Sequence, residues 1–321
     1  MTESSHPSIS VVICTHNRCK SLRDTLASLA QMGVPEDLQW ELLVVDNNSS
    51  DETREVVESF SCGSQLRPRY VLENKSGLSH ARNRGVKESL GDIVSFLDDD
   101  VVVATDWLAQ IRLAFANYKA VCVGGRVLLR GNPEMPSWWH SSLDVPVGKF
   151  DRGEDVIFGE TDDTQLIGIG ANMSFRRATL EKYGLFDTEM GRIGKQQRTG
   201  EETDMVVRLR RNSELVIYYP SAVVYHCISS ERFSKRYLRL NAYHFGMWRS
   251  VAERERLSEH FKLFGAPLWL YRATLGAAAR TVALALSGRH VEAFLQERRA
   301  LSYLGYWMAA RRIARSGAGP S

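Results

Sequence analysis

Short, mostly apolar runs rich in β-branched residues alternate with segments of helical periodicity up to about residue 129. The runs at 9–14, 40–45 and 93–97 read ISVVIC, WELLVV and IVSFL, and they have the composition of strands buried on both faces. This alternation is typical of a mostly parallel central sheet flanked by helices. The sequence therefore predicts an α/β fold of the Rossmann-like type.

Three consecutive aspartates, Asp98, Asp99 and Asp100, follow the strand predicted to end at residue 97. Open α/β sheets bind ligands at the carboxyl ends of their strands. Carboxylates held so close together repel one another, and Mg²⁺ or Mn²⁺ would offset that repulsion while binding phosphate oxygens. The alternative is a solvated loop that only caps the helix expected to begin near Thr105. We favour the metal site because of its place at a strand end.

Two further strand ends carry polar residues suited to a nucleotide. Thr15, Asn17 and Arg18 follow the first strand, and Asp46 follows the second. Asp46 can accept a hydrogen bond from a base N–H, while the aspartate cluster and its ion can hold ribose and pyrophosphate. Each residue also has a plainer explanation, since DNNS at 46–49 is a good turn sequence and Thr15 a good N-cap. No GxGxxG or GxxxxGK[ST] phosphate loop is present.

A second acidic cluster, GEETD at 200–204, leads into residues of helical spacing. The helix dipole alone explains one or two acids in a first turn. It does not explain the glycine-rich, basic lead-in at 191–198. A carboxylate at the edge of a nucleotide site can act as a general base toward an incoming hydroxyl. We therefore predict a catalytic role for at least one of Glu201, Glu202 and Asp204.

His226 lies beyond a strand predicted at 216–219 and beyond Pro220. An isolated histidine is more often a packed or surface residue than a metal ligand. The paired residues Trp138 and Trp139 are similarly ambiguous, since they could stack on a sugar or close the core. They belong to a region from 130 to 165 that the sequence indicates to be a long connection.

In this order the motifs resemble those of the family-2 glycosyltransferases, inverting enzymes of the GT-A fold that use nucleotide-activated sugars. The resemblance spans about residues 9 to 226. The motifs that carry it lie at 11–18, 44–51, 81–85, 96–100, 170–176, 184–187 and 200–204. Each motif is weak alone, whereas the ordered set is highly specific.

The resemblance also implies roles for individual residues. Asp98 and Asp100 would be the outer residues of a DxD motif, with Asp100 the direct metal ligand and Asp98 nearer the ribose. Asp46 would read the nucleobase, and His226 would complete the metal site. The residues expected to bind the nucleotide sugar are Thr15, Asn17, Arg18, Asp46, Asn83, Asp98 and Asp99.

The general base maps onto the second acid of the family's GED-type motif, which is Glu202 in this chain. Aspartate is common at that position, and the longer glutamate side chain leaves Glu201 and Asp204 open as alternatives. The implied activity is a metal-dependent, inverting transfer of a sugar from a nucleoside-diphosphate sugar, with a UDP-sugar favoured. The acceptor would be a hydroxyl in glycan, polysaccharide or glycolipid assembly, on a glycan or a lipid-linked acceptor.

Two other functions stay open from the sequence. A sugar nucleotidyltransferase would also use a metal-bound aspartate, but it usually has a glycine-rich, basic loop after the first strand, and residues 15–20 are not one. A non-catalytic nucleotide- or sugar-binding protein of the same fold is the second. Retention of both acidic clusters argues against it.

We expect residues 1–230 to form the catalytic domain and residues 231–321 a helical C-terminal extension. Between 255 and 315 aromatic residues interleave with arginines, which suits a peripheral contact with an anionic membrane. Packing on the catalytic domain, or a homodimer contact, is the other interpretation, and the sequence slightly favours it.

The remaining composition narrows location and partners. Five cysteines form no CxxC pair, residues 1–7 are polar, and no apolar stretch is long enough to span a bilayer. We therefore expect a cytoplasmic protein, held at the inner face of the membrane if the extension binds lipid. A net charge of +3 gives no reason to expect nucleic acid as a partner.

Overall fold

The computed structural model describes residues 8–63, 66–159, 167–191, 200–253, 262–263 and 266–316. These residues fall into two compact units. The first draws them from Met1–Pro133, Gly148–Gly194 and Glu201–Ile228, and the second from Glu134–Val147, Lys195–Gly200 and Ser229–Ser321. The domain division at residue 230 stays a prediction. Among the described residues, no helix combines the length and apolar character needed to cross a bilayer.

The strands and helices follow one another along the chain in a largely alternating order. They are β1 (Ile9–Thr15), α1 (Cys19–Ala30), β2 (Trp40–Asp46), α2 (Thr53–Gly63), β3 (Arg69–Leu72), α3 (Leu78–Glu88), β4 (Ile93–Asp98), β5 (Val101–Val103), α4 (Trp107–Asn117), β6 (Cys122–Leu129), α5 (Asp144–Val147), β7 (Ile157–Gly159), β8 (Asn172–Arg176), α6 (Arg177–Tyr183), α7 (Glu201–Arg211), β9 (Val216–His226), α8 (Lys235–Ala252), β10 (Lys262–Leu263), β11 (Ala266–Pro267), α9 (Leu268–Leu286) and α10 (His290–Ser316).

The first unit is built on one sheet with the strand order β3-β2-β1-β4-β8-β6-β9-β5, and β7 pairs with β9. The strands β3, β2, β1 and β4 pair in parallel. Beyond them, β8 runs antiparallel to both β4 and β6. The predicted α/β fold, a central sheet flanked by helices, is confirmed. Its second half is more mixed than the sequence indicated.

The parallel half places the predicted strand ends side by side. In the register of β1, Thr15 lies opposite Asp46 of β2 and Cys14 opposite Asp98 of β4. The strand residues are buried on both faces, which explains their mostly apolar runs. Because parallel strands end at a common edge, three polar segments from separate parts of the chain meet there.

Strand β9 differs from its predicted end at residue 219. It continues through Pro220 to His226, and its ladder with β6 shifts register between Gly125 and Arg126. Residues 220–222 lie in the resulting bulge. A proline in a bulge removes no ladder hydrogen bond, so it does not end the strand. This continuation places His226 opposite Val101 of the neighbouring strand β5.

The second unit contains two helices that pack closely at glycines. A Cβ atom at Gly246 of α8 would lie 1.8 Å from the carbonyl oxygen of Ser302 in α10, and one at Gly305 would lie 2.0 Å from that of Tyr243. Only glycine permits this approach of the two backbones. The unit also takes in Trp138 and Trp139, whose rings contact aromatic side chains. This packing supports a structural role for the two tryptophans.

Two glycine-to-alanine substitutions test this packing. Gly246→Ala should destabilise the protein by about 1–3 kcal/mol, because the added methyl overlaps the facing helix. The matched control is Gly276→Ala in α9, where no described atom outside the adjoining turns of the same helix lies within 4 Å of the built Cβ. Alanine there should stabilise the helix by about 0.5–1 kcal/mol. Urea unfolding of the full chain measures both, and equal effects would contradict the packing.

Candidate functional site

Asp98, Asp100 and His226 meet at the carboxyl edge of the sheet. Asp98 ends β4, and His226 ends β9 opposite Val101 of β5. One ligand atom from each of the three lies within 4.8 Å of those of the other two. Asp100 and His226 are buried and Asp98 is half-buried. Two hard carboxylates and one imidazole form a donor set that fits Mn²⁺.

The imidazole of His226 is oriented by hydrogen bonds at both nitrogens. Its Nδ1 lies 2.9 Å from the carbonyl oxygen of Gly148, which can only accept, so Nδ1 carries a proton. Nε2 lies 3.0 Å from Oδ1 of Asp100. Burial works to lower the pKa of His226, but the hydrogen bond and charge of Asp100 raise it above its ordinary value. Nε2 is the ring atom that a metal ion would bind.

Asp99 is held by two residues at the end of β1, Thr15 within the strand and Arg18 just after it. The Thr15 hydroxyl donates to Oδ2 of Asp99 at 2.7 Å, and Arg18 donates to Oδ1 at 2.6 Å. The same guanidinium donates to Oδ2 of Asp100 at 2.8 Å. Burial raises the pKa of Asp99 although Arg18 acts to lower it. Arg18 therefore offsets part of the repulsion within the carboxylate cluster, for which the sequence analysis invoked only a metal ion.

Asp46 is buried at the end of β2 and accepts two hydrogen bonds. The backbone N–H of Ser49 donates to its Oδ1 and the Tyr70 hydroxyl to its Oδ2, each at 2.8 Å. Burial and this bond raise the pKa of Tyr70 to about 12. Asn17 has a left-handed backbone, with φ of 54°, and its Oδ1 accepts from the N–H of Ser50 at 2.7 Å. The β1 and β2 ends are thus joined into one rim.

The side chain of Asn83 in α3 forms its hydrogen bonds with a different part of the chain. Its side chain donates to the carbonyl of Phe186 at 2.8 Å and accepts from the Phe186 N–H at 2.9 Å. Both polar atoms of its amide therefore fix the chain at residue 186. Its role in nucleotide binding stays a prediction.

The second acidic cluster forms the start of α7, and the structure distinguishes its three acids. The Glu201 side chain is buried, whereas those of Glu202 and Asp204 are 21% and 30% exposed. Asp204 pairs with Arg208, which also donates to three backbone carbonyls at 183–185. Asp204 is thus tied to a structural contact. The basic lead-in at 192–198 lies outside the described residues.

Arg82 is a functional candidate that the sequence reasoning did not single out. Its buried guanidinium donates to Oε1 of Glu201 at 2.7 Å and to Oε1 of Glu202 at 3.2 Å. Burial acts to lower its pKa, but the charges of Glu202, Glu201 and Asp98 raise it above the ordinary value. Arg82 therefore links the second acidic cluster electrostatically to the first. The only sequence signal was its place in the motif at 81–85.

Gly170 makes room for this ion pair. A Cβ atom at Gly170 would lie 2.0 Å from Oε1 of Glu202 and 2.2 Å from Nη2 of Arg82. The glycine of the motif at 170–176 therefore has a steric reason that the sequence did not reveal. It lets the chain entering β8 pass directly over the two charged groups.

The family model described as Glycosyl transferase family 2 matches residues 10–184. The succinoglycan biosynthesis protein ExoM of Rhizobium meliloti (strain 1021) is 30% identical over 74% of this chain and 72% of its own length. The glucosyl-dolichyl phosphate glucuronosyltransferase of Haloferax volcanii is 31% identical over 68% of each protein.

Solved structures share the fold at lower identity. The mannosyltransferase PcManGT from Pyrobaculum calidifontis, in complex with GDP-Man and Mn²⁺, has a TM-score of 0.63 and 20% identity, covering 98% of this chain and 88% of its own. GalNAc-T7 with UDP, GalNAc and Mn²⁺ has a TM-score of 0.55 and 16% identity, covering 77% and 51%. At these identities the similarity establishes the fold.

Proposed function

This chain belongs to glycosyl transferase family 2, and from that premise we propose a metal-dependent, inverting sugar transfer from a nucleoside-diphosphate sugar. The favoured donor is a UDP-sugar, and the acceptor is a hydroxyl of a growing glycan. Family membership argues against the two alternatives that the sequence left open, the nucleotidyltransferase and the non-catalytic binding protein. A cytoplasmic location and a homodimer stay predictions.

The observation that carries this proposal is the grouping of Asp98, Asp100 and His226 within 4.8 Å at the sheet edge. Mn²⁺ or Mg²⁺ bound there would stabilise the negative charge that develops on the departing nucleoside diphosphate. The fold neighbours crystallised with Mn²⁺ and a nucleotide or nucleotide sugar support this choice of cofactor. One of these structures contains GDP-Man and the other UDP, so uridine as the nucleoside of the donor is a separate part of the proposal.

Residues along the rim would orient the donor. Arg18 has a partly exposed guanidinium beside the carboxylates, which suits it to a phosphate oxygen. Asp46 would accept from the nucleobase, in addition to its bonds with Ser49 and Tyr70. Thr15, Asn17 and Asn83 would act mainly by fixing the segments around the nucleotide.

Glu202 is the general base that we propose. It is the acid of the second cluster that combines partial exposure with a link to the buried Arg82. Its carboxylate can accept the proton of the acceptor hydroxyl. That hydroxyl attacks the anomeric carbon as the nucleoside diphosphate leaves from the opposite face, so the configuration inverts.

The relatives' names support a proposal for the acceptor class. One relative is named for succinoglycan biosynthesis and another as a glucosyl-dolichyl phosphate glucuronosyltransferase. The second name describes a sugar carried on a lipid phosphate. We therefore propose a lipid-linked glycan as the acceptor, assembled into a cell-envelope polysaccharide.

Ligand-dependent thermal stability tests the donor site. We expect one nucleoside diphosphate to raise the unfolding temperature of the full chain, and only when Mn²⁺ is present. UDP is the one that the proposal favours. A free ligand concentration of about a hundred times Kd would stabilise the protein by about 2.7 kcal/mol. Asp100→Ala should remove the metal-dependent part of the shift. The control is Asp24→Asn, which changes an exposed aspartate on α1. An unchanged shift in Asp100→Ala would contradict the metal assignment.

A further inference from the structure

Helix α9 has an exposed apolar face in the second unit. Leu275, Val282 and Leu286 have 70%, 58% and 84% of their surfaces exposed. Leu268, at the start of the helix, is 42% exposed. Burying such side chains away from water is strongly favourable, and four of them on one helix form more than a scatter of single surface residues.

The exposed leucine and valine residues of α9 lie on one side of the helix. Positions 268, 272, 275, 279, 282 and 286 are all exposed and recur at intervals of four and three residues, which places them on one side of a helix. Leu270 and Ala277, on the other side, are buried. Near the start of α9, Leu270 packs with Tyr306 and Ala310. Helix α9 therefore has one face packed within its unit and one face without a partner among the described residues.

The charge on this helix is of a single sign. Arg272 and Arg280 are both exposed, and α9 contains no aspartate or glutamate. Arg272 belongs to the row of exposed residues itself. The face thus combines leucine and valine side chains with the guanidinium of Arg272, and Arg280 lies to one side of it; both groups can bind phosphate oxygens.

We propose that the exposed face of α9 binds an anionic membrane surface, with its leucines and Val282 in the boundary region and its arginines on lipid phosphates. The helix is about 28 Å long, and it would lie in the plane of the membrane. No described helix is suited to crossing a bilayer. The proposal does not depend on the identity of the donor or of the general base.

Charge decides between a membrane and a second copy of this chain. Two copies of α9 packed face to face would bring arginines together without an acid on either helix to pair with them. Anionic headgroups supply the missing negative charge, and each arginine near the surface strengthens membrane binding about fivefold. The lipid surface is therefore the occupant that fits both the apolar and the charged residues.

Vesicle sedimentation of the full chain tests the proposal. The wild-type protein should bind phosphatidylcholine vesicles containing one-third phosphatidylglycerol and bind pure phosphatidylcholine far less. Leu275→Asn with Val282→Asn should lower the partition coefficient at least about tenfold. Arg272→Gln with Arg280→Gln should remove most of the preference for the anionic vesicles. Both pairs are exposed, so they should leave the unfolding temperature nearly unchanged.

The matched control is Leu90→Asn, which removes an exposed leucine of the first unit, 77% exposed, and should leave vesicle binding unchanged. If the Leu275 and Val282 pair fails to fold, Leu286→Asn at the end of α9 repeats the test with one change. Wild-type protein that ignores anionic vesicles would overturn the proposal. So would full binding by the apolar variants. A dimer in light scattering that these variants dissociate, without lipid binding, would assign the face to a second copy instead.

Discussion

Replacing Glu202 with glutamine is expected to lower kcat by about a hundredfold or more while leaving donor binding nearly intact. Glutamine keeps an oxygen that can accept from Arg82 at the position of Oε1, so the local packing is preserved. It cannot take the proton of the acceptor hydroxyl. Steady-state kinetics gives kcat, and the nucleotide-dependent thermal shift gives donor binding in the same variant.

Two neighbouring substitutions serve as controls for Glu202. Asp204→Asn changes an acid that pairs with Arg208, and we expect it to retain most of the turnover. Glu201→Gln changes the buried acid, and its main effect should be on stability. Normal turnover in Glu202→Gln would reject Glu202 as the base. Loss of turnover confined to one of the two controls would assign the base to that residue.

The first acidic cluster was accessible to sequence reasoning because it depends on strand ends. Parallel strands end at a common edge, so Thr15, Asp46 and Asp98 could be brought together once their strands were recognised. The structure also contains groups that offset the predicted repulsion among the aspartates. Arg18 and His226 both contact Asp100.

Other features could not be predicted because they depend on contacts between distant segments. Strand β8 lies between β4 and β6, and nothing in its own five residues specifies that antiparallel position. Pro220 argued for the end of a strand, whereas the bulge that tolerates it is created by pairing with β6. The motif predicts that Asn83 lines the nucleotide site, but it could not reveal that the Asn83 amide also bonds to Phe186, about a hundred residues further on.

Arg82 illustrates the same limit at the site itself. An arginine in a helix is ordinarily exposed, and its burial becomes understandable only with Glu201 and Glu202 at the start of α7. The rings of Phe96 and Phe186 lie within 6 Å of its guanidinium. These contacts exclude water from the ion pair, which strengthens the electrostatic coupling of the three charged groups.

Replacing Arg82 with methionine is therefore expected to destabilise the protein by about 3–5 kcal/mol, because it removes the guanidinium that donates to the buried Glu201 carboxylate. A proton on that carboxyl would relieve part of the penalty. The loss of stability relative to wild type should consequently be smaller at about pH 5 than at about pH 8. Urea unfolding of both proteins at the two pH values measures the difference.

The double variant Arg82→Met with Glu201→Gln separates a charge effect from a packing effect. If the charge of Glu201 causes the loss, neutralising it should recover about 1–3 kcal/mol relative to Arg82→Met alone. If the loss came from the cavity or from the contacts with Phe96 and Phe186, the double variant would be no more stable than the single one. Arg82→Lys keeps the charge without the planar fork, and it should fall between wild type and methionine because one ammonium cannot donate to Glu201 and Glu202 in the same geometry. Wild-type stability in Arg82→Met would show that the ion pair contributes nothing to the stability of the protein.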